Sequence, residues 1–216
     1  IETNIDKEMN VVEIVRSIFP AKTKDFVTAV DEHSIILVKE LREKETADEI
    51  DRIAKTIEET LDAETNSRVY ISSGTIVSDL KDVSRSYKEA KMALEVGKIF
   101  ETDKYIVNYE KLGIGRLIYQ LPLPLCRMFI KEVLHGLTMD DFDDETLATV
   151  NKFFENNLNV SETSRQLYIH RNTLVYRLDK LQKMTGLDLR NFDDAIIFKI
   201  TLMVSKYMIY MDKMAY

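Results

Sequence analysis

The first part of the chain alternates between strand-like and helix-like spacing of its apolar residues. Two short apolar runs, Phe26–Val30 and Ile35–Val38, flank the polar tetrapeptide 31–34, and this arrangement predicts a β-hairpin. Apolar residues then recur every three or four positions from Ile50 to Leu61. That spacing predicts a helix, and the capping-box sequence 46–49 marks its start.

Strands and helices continue to about residue 120. Arg68–Ser73 has the β-branched and aromatic composition of a strand. A helix is predicted from Asp82 to Val96 with Gly97 as its C-cap, followed by an edge strand at Tyr105–Tyr109. Few strands mixed with long helices predict an α+β domain over residues 1–120.

The remainder of the chain is predicted to be all helical. A helix from about Leu125 to His135 leads into the acidic, aperiodic stretch 136–144. We therefore predict a connecting helix and acidic linker at 121–142 and a separate all-α domain at 143–216. Its last helix, from Phe192 to Met211, is apolar around much of its circumference, so at least one broad face must be covered.

Residues 159–183 have the spacing of a helix-turn-helix. Asn159 can cap a short helix, the small Ser164 lets a second helix cross closely, and the apolar Ile169 can fill the angle between the two. The second helix, which Gly186 ends, carries one apolar stripe: Leu174, Leu178 and Leu181.

The rest of that second helix presents groups that suit nucleic acid. Arg and Asn side chains match the edges of guanine and adenine in the major groove, and Arg, Lys and Tyr also bind phosphate. A helix N-terminus adds free N–H groups. The predicted DNA-binding residues are Ser161, Thr163, His170, Arg171, Asn172, Thr173, Tyr176, Arg177 and Lys180.

The distribution of charge favours this interpretation more than the total does. The net charge of −7 by itself disfavours a nucleic-acid partner. Residues 1–150 hold 20 Lys and Arg against 30 Asp and Glu, whereas residues 151–190 hold 7 against 4. Positive charge is thus concentrated in the segment with helix-turn-helix spacing.

Composition excludes several classes of protein. The single Cys126 rules out an internal disulfide and fits a reducing, cytoplasmic compartment. One Cys and three scattered His cannot form the usual structural zinc site. No apolar run approaches the ~20 residues of a membrane span. We expect no metal, no cofactor and no membrane partner.

Residues 159–178 resemble the C-terminal domain of the PucR/CdaR regulators, bacterial transcription factors of purine, sugar-diacid and related catabolism. The most specific part is His170–Leu174 followed by Tyr176–Leu178, and Ser164 stands where the family tends to have Ala. The resemblance covers about residues 140–210. It implies a regulator of a catabolic operon that binds operator double-stranded DNA. Since helix-turn-helix proteins commonly bind as dimers with half-sites about 34 Å apart, we expect a homodimer.

The first domain resembles, more weakly, the GGDEF-like domain that precedes this helix-turn-helix in the family. Diguanylate cyclases carry their GGDEF motif on a hairpin turn, and the matching turn here is Ala29–His33. The acidic pair Asp31-Glu32 is kept, but both glycines, which let the backbone approach a nucleotide, are replaced. The resemblance therefore implies a degenerate domain and a protein that is not an enzyme. It also implies a small-molecule effector bound by a domain N-terminal to this sequence.

Other interpretations of the same residues remain open at this point. The first domain could be a cyclase remnant that still binds nucleotide, and residues 159–183 a helical hairpin that binds only protein. His170 could serve only as a helix cap, and Arg177 could pair with Asp179 or Glu155 instead of phosphate. Cys126 is expected to be a partly buried apolar residue, since no His lies at a motif spacing.

Overall fold

The computed structural model describes residues 1–3, 11–19, 24–42, 47–101 and 104–214, which form two compact units, Ile1–Leu117 and Ile118–Tyr216. The division lies near the predicted end of the first domain. Residues 121–142, expected to be a connecting helix and linker, instead belong to the second unit. The physical reason is burial, because Cys126, Leu134 and Phe142 are removed from solvent there.

The first unit contains a small sheet and a separate hairpin. Strand β4 pairs antiparallel with β1 and parallel with β5, and β2 pairs antiparallel with β3 in the predicted hairpin. The elements are β1 Glu2–Thr3, α1 Val11–Ile18, β2 Phe26–Ala29, β3 Ile35–Val38, α2 Ala47–Thr65, β4 Val69–Ser73, α3 Val83–Phe100, β5 Ile106–Asn108 and α4 Gly115–Ile118.

Helix α2 supplies much of the core of this unit. Its helical spacing places Ile57 and Leu61 on one buried face, which packs with Val69 and Ile71 of β4. The predicted helix and strand are therefore confirmed. Thr46, the first residue of the predicted capping box, lies outside the described residues.

Gly97 does not end α3, contrary to the prediction, because the helix continues to Phe100. A Cβ added at Gly97 would lie 2.6 Å from the Cγ2 atom of Val107 in β5. The glycine therefore allows α3 to approach the sheet closely, and its role is packing and not termination.

The second unit is all helical, as predicted. Its helices are α5 Leu123–Val133, α6 Asp144–Glu155, α7 Val160–Gln166, α8 Arg171–Thr185 and α9 Phe192–Met214. Asp143 caps α6 by accepting a 2.7 Å hydrogen bond from the N–H of Thr146. The predicted cap at Asn159 and the left-handed Gly186 after α8, with φ of +78°, are confirmed.

The core of this unit is built around the apolar stripe of α8. Leu174, Leu178 and Leu181 are fully buried together with Phe153 of α6 and Phe198 of α9. The last helix thus buries the broad face that its sequence required. No helix in the described part of the chain combines the length and apolarity needed to cross a membrane.

We predict that Leu178→Ala lowers the free energy of unfolding of the second unit by about 2–5 kcal/mol, because it leaves a cavity in a filled core. Denaturant titration followed by circular dichroism measures the change. The matched control is Tyr176→Ala, two residues away and 69% exposed, where a change within about 0.5 kcal/mol is expected. Equal losses in the two variants would contradict this view of the core.

Candidate nucleic-acid interface

Helices α7 and α8 are joined by the four residues 167–170. The Ile169 N–H donates to the Ser164 carbonyl (3.0 Å) and the Tyr168 N–H donates to the Arg165 carbonyl (3.2 Å), with Tyr168 at a φ of +55°. These two bonds and one left-handed residue are the Schellman arrangement of a helix C-terminus. The turn is therefore held by its own backbone.

Ser164 fits the close contact between α7 and its neighbours. Its side chain is buried, and its hydroxyl donates to the carbonyl of Ser161 one turn earlier (2.9 Å). A polar atom is thus satisfied inside its own helix.

His170 caps α8, as the sequence predicts. Its Nδ1 atom accepts a hydrogen bond of 3.2 Å from the backbone N–H of Asn172. The ring is otherwise exposed, and contact between His170 and phosphate remains a prediction.

The first turn of α8 faces solvent. Arg171, Asn172 and Thr173 are exposed, and Tyr176 follows one turn later on the exposed side. Arg171 donates through Nη1 to the hydroxyl of Ser161 at the start of α7 (2.8 Å). This bond leaves most of the five guanidinium N–H donors available for another acceptor. The structure thus brings together five of the predicted residues on one exposed surface: Ser161, Arg171, Asn172, Thr173 and Tyr176.

Arg177 lies elsewhere, and its assignment as a phosphate contact does not fit this conformation. Its side chain is only 17% exposed and binds α6 instead, donating to Thr149 (2.9 Å from Nη1) and pairing with Glu145. Neither Asp179 nor Glu155, its expected alternatives, is the partner. Arg177 braces α8 against α6.

Thr163 is also misassigned as a DNA contact. It is fully buried on the inward face of α7, and its hydroxyl oxygen has no hydrogen-bond partner among the described residues. A side chain without exposed surface cannot reach DNA.

Lys180 is paired but accessible. Its ammonium lies 2.9 Å from Asp143, and the two side chains are 47% and 52% exposed. Hydrogen bonds from Thr146 and then from Lys180 hold the pKa of Asp143 well below its ordinary value, and Asp143 raises the pKa of Lys180. Exposed pairs of this kind are weak, so a phosphate can replace Asp143 as partner.

Two further exposed residues near this surface were not predicted from the sequence. Lys183 lies one turn beyond Lys180 and has no ion pair among the described residues, and its three-residue spacing from Lys180 was a usable signal. Tyr168, in the turn, is 96% exposed. Nothing in the sequence distinguished Tyr168 from an apolar residue that fills the angle between the two helices, because exposure in a turn depends on backbone conformation.

The acidic turn of the first unit lies in the hairpin between β2 and β3, as predicted. The carboxylate of Asp31 accepts a hydrogen bond of 2.8 Å from the backbone N–H of His33, which lowers the pKa of Asp31. Within the described ranges, no three His, Cys, Asp or Glu side chains are grouped so as to hold a metal ion.

Comparison with protein families agrees with the geometry of both units. Residues 146–204 match the PucR C-terminal helix-turn-helix domain, and residues 2–96 match the GGDEF-like domain. Both units thus match domains of the PucR/CdaR regulators. The predicted pairing of a GGDEF-like domain with a PucR-type helix-turn-helix is thereby confirmed, as is the α+β class.

Three family relatives illustrate the match. The purine catabolism regulatory protein of Bacillus subtilis is 28% identical over 61% of this chain and 25% of its own length. The carbohydrate diacid regulator of Escherichia coli is 31% identical over 64% and 36%. The DNA-binding transcriptional activator AdeR of Bacillus subtilis is 33% identical over 57% and 30%. The chain thus spans between a quarter and about a third of the length of these PucR/CdaR relatives.

A solved structure also matches this chain, but only loosely. It is the regulator of polyketide synthase expression from Bifidobacterium adolescentis, 18% identical over 93% of this chain and 78% of that chain. The TM-score of 0.33 is too low to establish a shared fold.

We predict that Lys180 and Arg177 differ in their effect on DNA affinity. Lys180→Ala should weaken binding to specific and random duplexes alike, and should make the slope of log affinity against log salt shallower by roughly one per subunit. Arg177→Ala should leave that slope unchanged and lower the free energy of unfolding by about 1–2 kcal/mol, because two hydrogen bonds to α6 are lost. Fluorescence anisotropy at several salt concentrations separates the two, and an equal change of slope in both variants would show that Arg177 contacts phosphate.

Proposed function

We propose that the chain is a sequence-specific DNA-binding transcriptional regulator of a catabolic operon. The observation that carries the proposal is the exposed first turn of α8, fixed on a buried leucine stripe within a PucR-type helix-turn-helix. Two of the relatives are named as a purine catabolism regulatory protein and a carbohydrate diacid regulator, and these names support a catabolic target.

In this proposal α8 enters the major groove by its N-terminus. Arg171 binds a guanine edge or Asn172 an adenine edge, since these side chains offer the matching bidentate geometry. Sugar, phosphate or neighbouring bases are contacted by His170, Thr173 and Tyr176 and by Ser161, which Arg171 holds at this end of the helix. Lys180 contacts phosphate two turns later. Thr163 and Arg177 have no part in the contact.

Selection of bound sequences from a random DNA pool tests the function directly. We expect a recurring half-site, and Arg171→Ala or Asn172→Ala should weaken binding to the selected DNA by about 1–3 kcal/mol with little effect on random DNA. Folding of the variants is checked by their melting temperatures. Failure of the pool to enrich any sequence, with folded protein, contradicts sequence-specific binding. If both variants keep the wild-type ratio of specific to random affinity, the base-reading assignment is wrong.

A homodimer is proposed for the DNA-bound state. Helix α9 leaves Phe192, Ile196 and Ile209 exposed, and a two-fold protein matches a palindromic operator. Sedimentation velocity at micromolar concentration, with and without a duplex carrying two half-sites, should show a dimer in the presence of DNA. A strict monomer under both conditions counts against the proposal.

The GGDEF-like unit is proposed to be catalytically silent. Its turn holds Ala29 and Val30 where the cyclase motif has two glycines, and Asp31 is engaged by its own backbone. Incubation with GTP and Mg²⁺ should yield no cyclic dinucleotide above a buffer control. Turnover that Asp31→Ala abolishes would overturn this prediction.

We further propose that a small-molecule effector acts through a domain N-terminal to these two units, and that the protein works in the cytoplasm. The relatives support the first point, because the matched segment is a minor part of each. The cytoplasmic location is supported by the proposed target, because the operator DNA of a bacterial cell lies in its cytoplasm.

A further inference from the structure

Tyr168 is the most exposed of the large hydrophobic side chains described, at 96% of its surface. It precedes the first residue of α8, Arg171, by three positions. Its hydroxyl has no hydrogen-bond partner among the described residues, and the ring belongs to neither buried cluster. The side chain therefore contributes nothing evident to the fold.

Its backbone, in contrast, is in an unfavourable conformation. Tyr168 occupies the left-handed position of the Schellman turn, with φ of +55°, a place where glycine is usual because a Cβ is disfavoured there.

The other described non-glycine residues with positive φ show which residue types or contacts normally accompany this backbone conformation. Asn66 and Asn157 are of the type that tolerates it. Leu158 packs against the core of the second unit. His135, exposed and next to Gly136, is also of a type enriched in this conformation and provides a comparison.

We propose that the hydroxyl of Tyr168 donates a hydrogen bond to a backbone phosphate of DNA beside the bases that the first turn of α8 reads. The inference rests on the proposed function and adds a contact residue to it. A strained residue whose side chain has no internal role points to an external one. The turn lies just outside the helix that enters the groove, and tyrosine is among the side chains that bind phosphate oxygens.

Tyr168→Phe and Tyr168→Gly in the intact chain test the proposal on two fluorescein-labelled duplexes, one selected from the pool and one of random sequence. Tyr168→Phe should weaken binding to both duplexes alike by roughly threefold to tenfold, the loss of one hydrogen bond. The salt slope should stay unchanged, because the side chain is uncharged. Tyr168→Gly should weaken binding at least as much while raising the melting temperature by about 2–4 °C.

The distinctive expected result is that Tyr168→Gly raises the melting temperature while it weakens DNA binding. His135→Gly is the matched control, since it relieves the same conformation just after α5. It should raise the melting temperature and leave both affinities unchanged.

Each remaining outcome has one meaning. If wild type binds neither duplex, the proposed function fails. If wild type binds and both Tyr168 variants bind equally well, the phosphate contact is wrong and the proposed function stands. A loss confined to the selected duplex would make Tyr168 a base-reading residue and would also overturn the phosphate assignment.

Discussion

The burial of one leucine stripe on α8 determines what the second unit can present to a partner. Leu174, Leu178 and Leu181 recur at helical spacing and are sealed between α6 and α9. Because a helix with one face buried must turn the opposite face outward, Arg171, Asn172 and Tyr176 are exposed by the same packing that stabilises the unit. A reading surface built on a packed helix is placed more accurately than one built on a loop.

The acidic residues at the start of α6 determine which cations of α8 remain available. Acids are favoured there by the helix dipole, and Asp143 also caps the helix. Glu145 and Thr149 hold the mostly buried guanidinium of Arg177, whereas Asp143 holds Lys180 only by an exposed pair. Two cations that look equivalent in sequence thus differ physically, because one would lose hydrogen bonds at a partly buried site and the other can exchange a carboxylate for a phosphate in water.

Local rules predicted what depends on neighbouring residues. The hairpin of β2 and β3, the cap at Asn159, the Gly186 stop and the helix-turn-helix follow from spacing and from turn chemistry within a few positions. The misassignments came from contacts distant in sequence. Gly97 continues its helix because of Val107 in β5, residues 121–142 join the second unit through buried Leu134 and Phe142, and Arg177 meets Glu145, 32 positions away. Thr163 was misassigned for a related reason, since a seven-residue helix has too little periodicity to show which face is inward.

The GGDEF-like unit illustrates how a hairpin can serve the fold when the glycines of the cyclase motif are replaced. The acidic turn that would approach a nucleotide in a cyclase is bound here to strand β1. The carbonyl of His33 accepts from the N–H of Thr3 (2.7 Å), and the N–H of Ile35 donates to the carbonyl of Ile1 (2.8 Å). Since β1 also pairs with β4, it links the hairpin to the small sheet. Ala29 and Val30 lack the conformational freedom of the motif's glycines, yet the hairpin keeps a structural use, because its contacts with β1 connect it to the small sheet.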